Sequence, residues 1–288
     1  MSCDLTVLSD VKLYMGITTT SNDSLLGMLI DQATNIITNE LGTDICATDY
    51  NQEVYNGDGT SFLMLDNYPI IEVYRANDTT QDVLYIQNTD TTNTHATVQV
   101  TSDTVRLKSA AAGSWTTTNI MRSDCTTLAD LQTAVNAVST WSCTVGTNYT
   151  TYPTTELIEQ PGRSAQNSNA VHLYTPDLCE TDYDIQDVGR AVLYNPFGWS
   201  SGHRNIFISY RAGYETIPNS IYSICQELVK LMYDKSVISA GYEREQIGDY
   251  EYSVGKWNAS EIGDGGTLQS LSPTLYLKLL PYKRLIIG

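Results

Sequence analysis

The chain has 288 residues, a net charge of −17, 41% hydrophobic residues and only 17% charged residues. That length supports one large core or two modest ones, and that apolar fraction excludes wholesale disorder. The acidity excludes ordinary phosphate-backbone binding, which needs clustered Lys and Arg, and no stretch approaches the length of an apolar membrane span.

In chain order, the first predicted element is a short helix capped by Ser9, with Asp10 in its first turn, ending at Gly16. A second helix opens between Ser21 and Asp23 and closes at Gly42. Its apolar positions Leu25, Leu26, Leu29, Ile30, Ala33, Ile36, Ile37 and Leu41 form one helical stripe. The segment Tyr55-Asn-Gly-Asp-Gly-Thr60 reads as a turn, followed by short strands from Phe62 to Leu65 and from Pro69 to Tyr74.

Composition then shifts to Thr, Asn and Ser. Strands are expected at Val83 to Ile86, Thr97 to Thr101 and Thr104 to Lys108, the last two joined as a hairpin around Ser102-Asp103. Thr127 caps a helix with apolar Leu128, Leu131, Ala134, Val135 and Val138, and Trp141 to Val145 resumes strand character. The region 77–181 therefore reads as an inserted β-rich module of β-β-β-α-β order, interrupting a host domain formed by 1–76 and 182–288.

Downstream, Arg190 to Tyr194 and Asn205 to Tyr210 are expected to pair with each other across a Gly-containing loop. Pro218 begins a helix reaching about Tyr233, with Ile221, Ile224, Leu228, Leu231 and Met232 on one face. Residues 241–252 read as loop. The last residues are apolar with the cations Lys278, Lys283 and Arg284. The expected fold class is α+β, a helical-bundle core with a small β-sheet.

No motif calls for catalysis, a cofactor or a metal. Gly198-Trp-Ser-Ser-Gly202 matches the spacing of a nucleophile elbow, but Asn195-Pro-Phe precedes it where a strand is required. A hairpin loop accounts for it better. The three histidines, His95, His172 and His203, stand at unrelated positions. Gly263-Asp-Gly-Gly-Thr-Leu268 lacks the Lys of a phosphate loop, and Asp58, Asp182 and Asp184 have no calcium-loop spacing. Six cysteines (Cys3, Cys46, Cys125, Cys143, Cys179, Cys225) are scattered without C-x-x-C, so reduced structural thiols are expected. No secretory leader is visible at Met1 to Thr6. Tyr149, Tyr152 and Tyr174 suit either a sugar site or an interface or core.

Four elements, in order, carry a resemblance. They are Leu8-Ser-Asp-Val-Lys-Leu-Tyr14 with Asn22-Asp-Ser-Leu-Leu-Gly-Met-Leu-Ile30, and the Gly57/Gly59 turn into Leu63 and Pro69-Ile70. The others are Ala212-Gly-Tyr with Ile217-Pro218, and Ile247-Gly-Asp-Tyr-Glu-Tyr252. In that order the chain resembles the head-tail connector (adaptor, head-completion) proteins of tailed bacteriophages, with 77–181 as a departure from the minimal family pattern. The resemblance implies a non-enzymatic virion protein made in the host bacterial cytoplasm. It would stand in the neck as a ring of copies of itself, commonly twelve, below the portal protein. Tail, stopper or nozzle proteins would meet its other face. DNA would pass through the bore without specific binding, and no membrane is involved.

The C-terminal Tyr276, Leu277, Leu279, Leu280, Pro281, Tyr282, Lys283, Arg284 and Leu285 would then dock on the portal, or pack on their own domain. In the first case, removal of everything after Ser270 abolishes portal binding and leaves the fold intact. Ile247, Gly248, Asp249, Tyr250 and Tyr252 would form a loop touching the tail or a neighbour. Three other readings stay open: a tail-completion or stopper protein of the same neck, a glycan-binding surface module working through the insertion and, last, an enzyme such as a glycosidase using a pair of carboxylates.

Overall fold

A computed structural model describes residues 3–166, 169–177, 181–239, 244–247, 250–253 and 268–284. The chain is α+β, with antiparallel sheets and helices segregated around three separate clusters of buried side chains.

The first cluster is helical. Helix α1 spans Leu8–Met15 and α2 spans Asp23–Leu41. Both end on glycines in the left-handed region, Gly16 at φ 70° and Gly42 at φ 71°. The apolar stripe of α2 buries Leu26, Leu29, Ile30, Ala33, Ile37 and Leu41 as its spacing predicts, while Leu25 faces solvent. It packs on α4, Asn219–Ser239, through Ile221, Ile224, Leu228 and Met232. Two short C-terminal helices, Leu268–Leu271 and Pro273–Leu279, close the cluster with Leu268, Leu275 and Leu279. Ser9 is not the cap of α1. The Asp10 and Val11 amides both donate to the Val7 carbonyl, so the helix begins earlier and Ser9 lies within its first turn.

The second cluster lies between two three-stranded sheets. One has the order β1-β13-β3, formed by Thr48–Gly57, Gly202–Ala212 and Ile70–Asn77. The other has the order β11-β12-β2, formed by Asp184–Asp187, Val192–Tyr194 and Phe62–Met64. The expected pairing of β12 with β13 is therefore wrong. β12 lies between β11 and β2, with Leu193 opposite Leu63, and β13 lies between β1 and β3. The two strands face each other across this one cluster instead of lying side by side, and the segment 195–201 passes from one sheet to the other instead of turning a hairpin.

The third cluster is built from residues between Val83 and Leu173. Its strands are β4 Thr80–Asn88, β5 His95–Val100, β6 Thr104–Ala111, β7 Ser114–Met121, β8 Trp141–Val145, β9 Gln160–Ser164 and β10 Val171–Pro176. They form a three-stranded sheet, β10-β4-β8, and a four-stranded sheet, β7-β6-β5-β9. Helix α3, Leu128–Asn136, packs beside β8. It starts with a capping box in which the Thr127 hydroxyl accepts from the Asp130 amide and the Asp130 carboxylate accepts from the Thr127 amide. The order is thus richer than β-β-β-α-β, with β7, β9 and β10 added to the expected set.

Residues 241–252, expected as loop, include a two-stranded antiparallel pair, β14 Arg244–Ile247 and β15 Tyr250–Ser253. Cys3 and Cys46 form a disulfide with Cα atoms 6.2 Å apart, a correction to the reduced-thiol expectation. Cys125, Cys143 and Cys225 are free and buried, and Cys179 lies outside the described residues. Burial pushes the Cys143 and Cys225 thiols up to about 12, so both are inert packing groups.

Candidate assembly surfaces

The N-terminal motif residues meet each other in space. Lys12 in α1 reaches Asp23 in the first turn of α2, Nζ to Oδ1 2.7 Å. Asn22 Nδ2 donates to Tyr233 Oη of α4 at 2.7 Å, and the Tyr222 hydroxyl, also from α4, donates to Asp10. The Leu-Ser-Asp-Val-Lys and Asn-Asp-Ser-Leu-Leu stretches are therefore one clamp that fixes α1 across α2 and α4, with Val11 beneath it at 0% exposure.

The Ala212-Gly-Tyr motif has a physical reason as well. Gly213 has φ 105°, and a Cβ there would stand 2.4 Å from the Cys46 carbonyl oxygen, so only glycine allows the chains to cross. On either side, the Tyr214 amide donates to the Ile45 carbonyl and the Tyr214 carbonyl accepts from the Ala47 amide. Gly57 is equally constrained, since a Cβ would meet the Ser200 carbonyl oxygen at 1.8 Å. These glycines hold the sheet and the 195–201 segment together.

The Gly-Trp-Ser-Ser-Gly match is structural. Ser200 donates its hydroxyl and its amide to Asp78 Oδ2, at 2.8 and 3.1 Å, and Thr181 donates its hydroxyl to the other carboxylate oxygen. Trp199 is 2% exposed within the second cluster. Asp58 accepts from the Thr60 amide and hydroxyl, which is turn chemistry. Among the described residues, no group of three His, Cys, Asp or Glu side chains is placed to hold a metal, and no helix is long and apolar enough to cross a membrane. Tyr149 and Tyr152 pack edge to face against the third cluster, with centroids 5.5 Å apart. Their role there is packing.

A tyrosine cluster that no sequence motif announces ties β1 to β13. Tyr50 stacks on Tyr210 at 5.2 Å, and Tyr55 and Tyr210 both donate to Glu53 Oε2. Burial and the Glu53 carboxylate push the Tyr210 hydroxyl up to about 12, so it stays a donor.

The C-terminal residues largely turn inward. Leu279 is 1% exposed, and Tyr276 and Tyr282 pack beside the helical cluster. Lys278 pairs with Glu227, and Lys283 with Glu40. Arg284 lies over the Tyr68 ring, donates its amide to Tyr68 Oη, and extends its guanidinium to the Leu65 carbonyl. Leu277, Leu280 and Pro281 face solvent. Leu285, Gly248 and Asp249 lie outside the described residues, and Ile247, Tyr250 and Tyr252 are placed in β14 and β15. Removal of everything after Ser270 would strip Leu275 and Leu279 from the helical core, so that truncation cannot separate docking from folding.

Residues 4–140 match the family model described as Head completion protein, in agreement with the phage head-completion and head-tail connector resemblance of the motifs. The match takes in the whole α1–α2 clamp and continues to the foot of β8. It supports a structural role in the phage virion, in joining head to tail. No curated protein matches the chain.

Proposed function

We propose that this protein is a structural adaptor of the phage neck, forming a ring below the portal that joins head to tail and extends the DNA channel. The observation that carries this reading is the head-completion match over residues 4–140, which spans the same clamp that the motifs build. In this reading α1, α2, α4 and the C-terminal helices are a helical-bundle core supplying rigid wedges. The third cluster is the inserted module of 77–181, and 1–76 with 182–288 is the discontinuous host. The protein performs no catalysis and needs no cofactor.

The portal-facing set is the outward part of the C-terminal segment, Leu277, Leu280 and Pro281, with the β14–β15 pair offered to the tail or a neighbour. The net charge of −17 per copy suits a bore that repels DNA within a screening length of about 8 Å at physiological salt. The test is cryo-electron microscopy of the neck of the parent particle without imposed symmetry. A closed ring of this chain against the portal is the expected result. Finding the chain elsewhere in the particle, or absent from it, overturns the reading.

A further inference from the structure

Two sheet faces of this chain have opposite character. The strands β5, β6, β7 and β9 contain no Asp or Glu, although the chain as a whole carries a charge of −17. Their register puts Arg106 opposite Gln99 and Asn119, and Lys108 opposite Thr97 and Thr117. His95 and Trp115 flank Ala110 on the same outer face, their rings 5.9 Å apart, and Lys108 Nζ stands 5.3 Å from the centre of the Trp115 ring. Trp115 is 57% exposed. This face is aromatic, cationic and open.

The strands β2, β11 and β12 contain no Lys or Arg. Phe62 and Met64 stand opposite Tyr194 and Val192 on the outer face, and Asp184 stands opposite Tyr194. Phe62 and Tyr194 touch with centroids 5.3 Å apart, and Phe62 is 56% exposed. This face is apolar with Asp184 at its edge, while Asp187 of β11 pairs with Arg190 just before β12.

We propose that these two faces are the halves of one contact between copies of this chain: the outer face of β7-β6-β5-β9 on one copy receives the outer face of β11-β12-β2 on the next. The inference rests on the ring reading above and specifies its interface. The occupant is a second copy of this chain, because exposed Trp115 with Arg106 and Lys108 on one face finds exposed Phe62 and Met64 with Asp184 on the other. Two different patches make the contact heterologous, the type that propagates from copy to copy and closes into a ring when the rotation permits. The exposed rings supply the desolvated anchors, and Arg106, Lys108 and Asp184 set register and steer the encounter.

The experiment uses the full chain, with native mass spectrometry and sedimentation velocity. Phe62→Ser with Met64→Ser disables one face, and Arg106→Glu with Lys108→Glu disables the other. The wild type should assemble, more weakly as salt rises, and each variant should dissociate at least about 30-fold more readily. Mixing the two variants should give a dimer and nothing larger, since each retains the half that the other lacks. Variants that assemble like the wild type overturn the interface and leave the ring reading standing, as do monomeric variants whose mixture stays monomeric. A wild type that remains monomeric at about 100 µM overturns the interface, whereas the ring reading stands or falls on the neck of the particle itself. Because all four side chains are exposed or half-buried, unchanged circular dichroism is expected, and the salt dependence of the wild type is a second readout that needs no variant.

Discussion

Lys12 and Asp23 meet at 2.7 Å, with side-chain exposures of 16% and 32%, and so join α1 to the first turn of α2. Asp23 also faces the positive end of the α2 dipole, which lowers the cost of holding it there. Lys12→Ala should therefore cost about 1 kcal/mol, at the upper end for a partly exposed pair. The exposed pair Lys230–Asp234 on α4 is the control, and Lys230→Ala should change stability by less than about 0.5 kcal/mol. Urea melts of both variants check the difference; equal effects would remove the clamp from the account.

Gly213 gives a sharper prediction. Its φ is 105°, and any Cβ would lie 2.4 Å from the Cys46 carbonyl oxygen, so no side chain fits. Gly213→Ala should destabilise by more than about 2 kcal/mol, because the clash is with backbone that is itself hydrogen-bonded on either side. Gly16→Ala, also at positive φ but with open space around it, should cost about 1 kcal/mol. Thermal melts of the two variants rank them.

The helices and several module strands are legible in the sequence because local chemistry decides them. Gly42 stops α2, Thr127 caps α3, and Trp141 to Val145 alternates inward and outward. The strand β1 is not legible. It has no clean alternation, and Gln52 at φ 51° interrupts its register against β13. β7 is hidden because its three consecutive threonines show no polar–apolar alternation and Ile120 is its one buried side chain. The partners of β12 and β13 are beyond reach for a different reason: both strands line the same cluster, and most of their hydrogen-bonded neighbours come from distant parts of the chain. The same holds for the C-terminal residues, whose hydrophobicity reads alike whether it meets a partner or, as for Leu279, its own helices.

Leu279 and Leu277 separate those roles. Leu279→Ala removes a side chain 1% exposed among helices and should cost about 2–5 kcal/mol. Leu277→Ala, at 63% exposure, should leave stability within about 0.5 kcal/mol. In a portal pull-down the order should reverse among folded variants, with Leu277→Asp losing binding while its melting curve is unchanged. Retained binding would take Leu277 out of the portal contact.

Arg75 is the junction between the second and third clusters. Its guanidinium donates to Glu156 at 2.5 Å, to Asn77 Oδ1 at 2.6 Å, and to the Pro176 and Asp177 carbonyls. Lysine carries one donor head and cannot span those directions, so Arg75→Lys should behave nearly as badly as Arg75→Ala. Either change should raise hydrogen exchange in β3 and β10 at least about tenfold, which corresponds to about 1.4 kcal/mol of local opening. Protection restored by Lys would mean that charge alone, rather than the fork, makes the junction.

Asp78 closes the same junction from the other side, and its behaviour with pH follows from its partners. Burial acts to raise its carboxyl, but donation from the Thr181 hydroxyl and from the Ser200 hydroxyl and amide outweighs it, and the group sits below the ordinary carboxylate range. A carboxylate whose folded value is depressed contributes stability that is fully present above its unfolded value of about 3.9, and that contribution is lost as pH falls through the folded value. Melting temperatures of the wild type and Asp78→Asn should therefore differ most near neutrality and draw together as pH falls below about 3.9. A gap that persists undiminished into acid would show that shape, and not charge, is what Asp78 provides to Ser200 and Thr181.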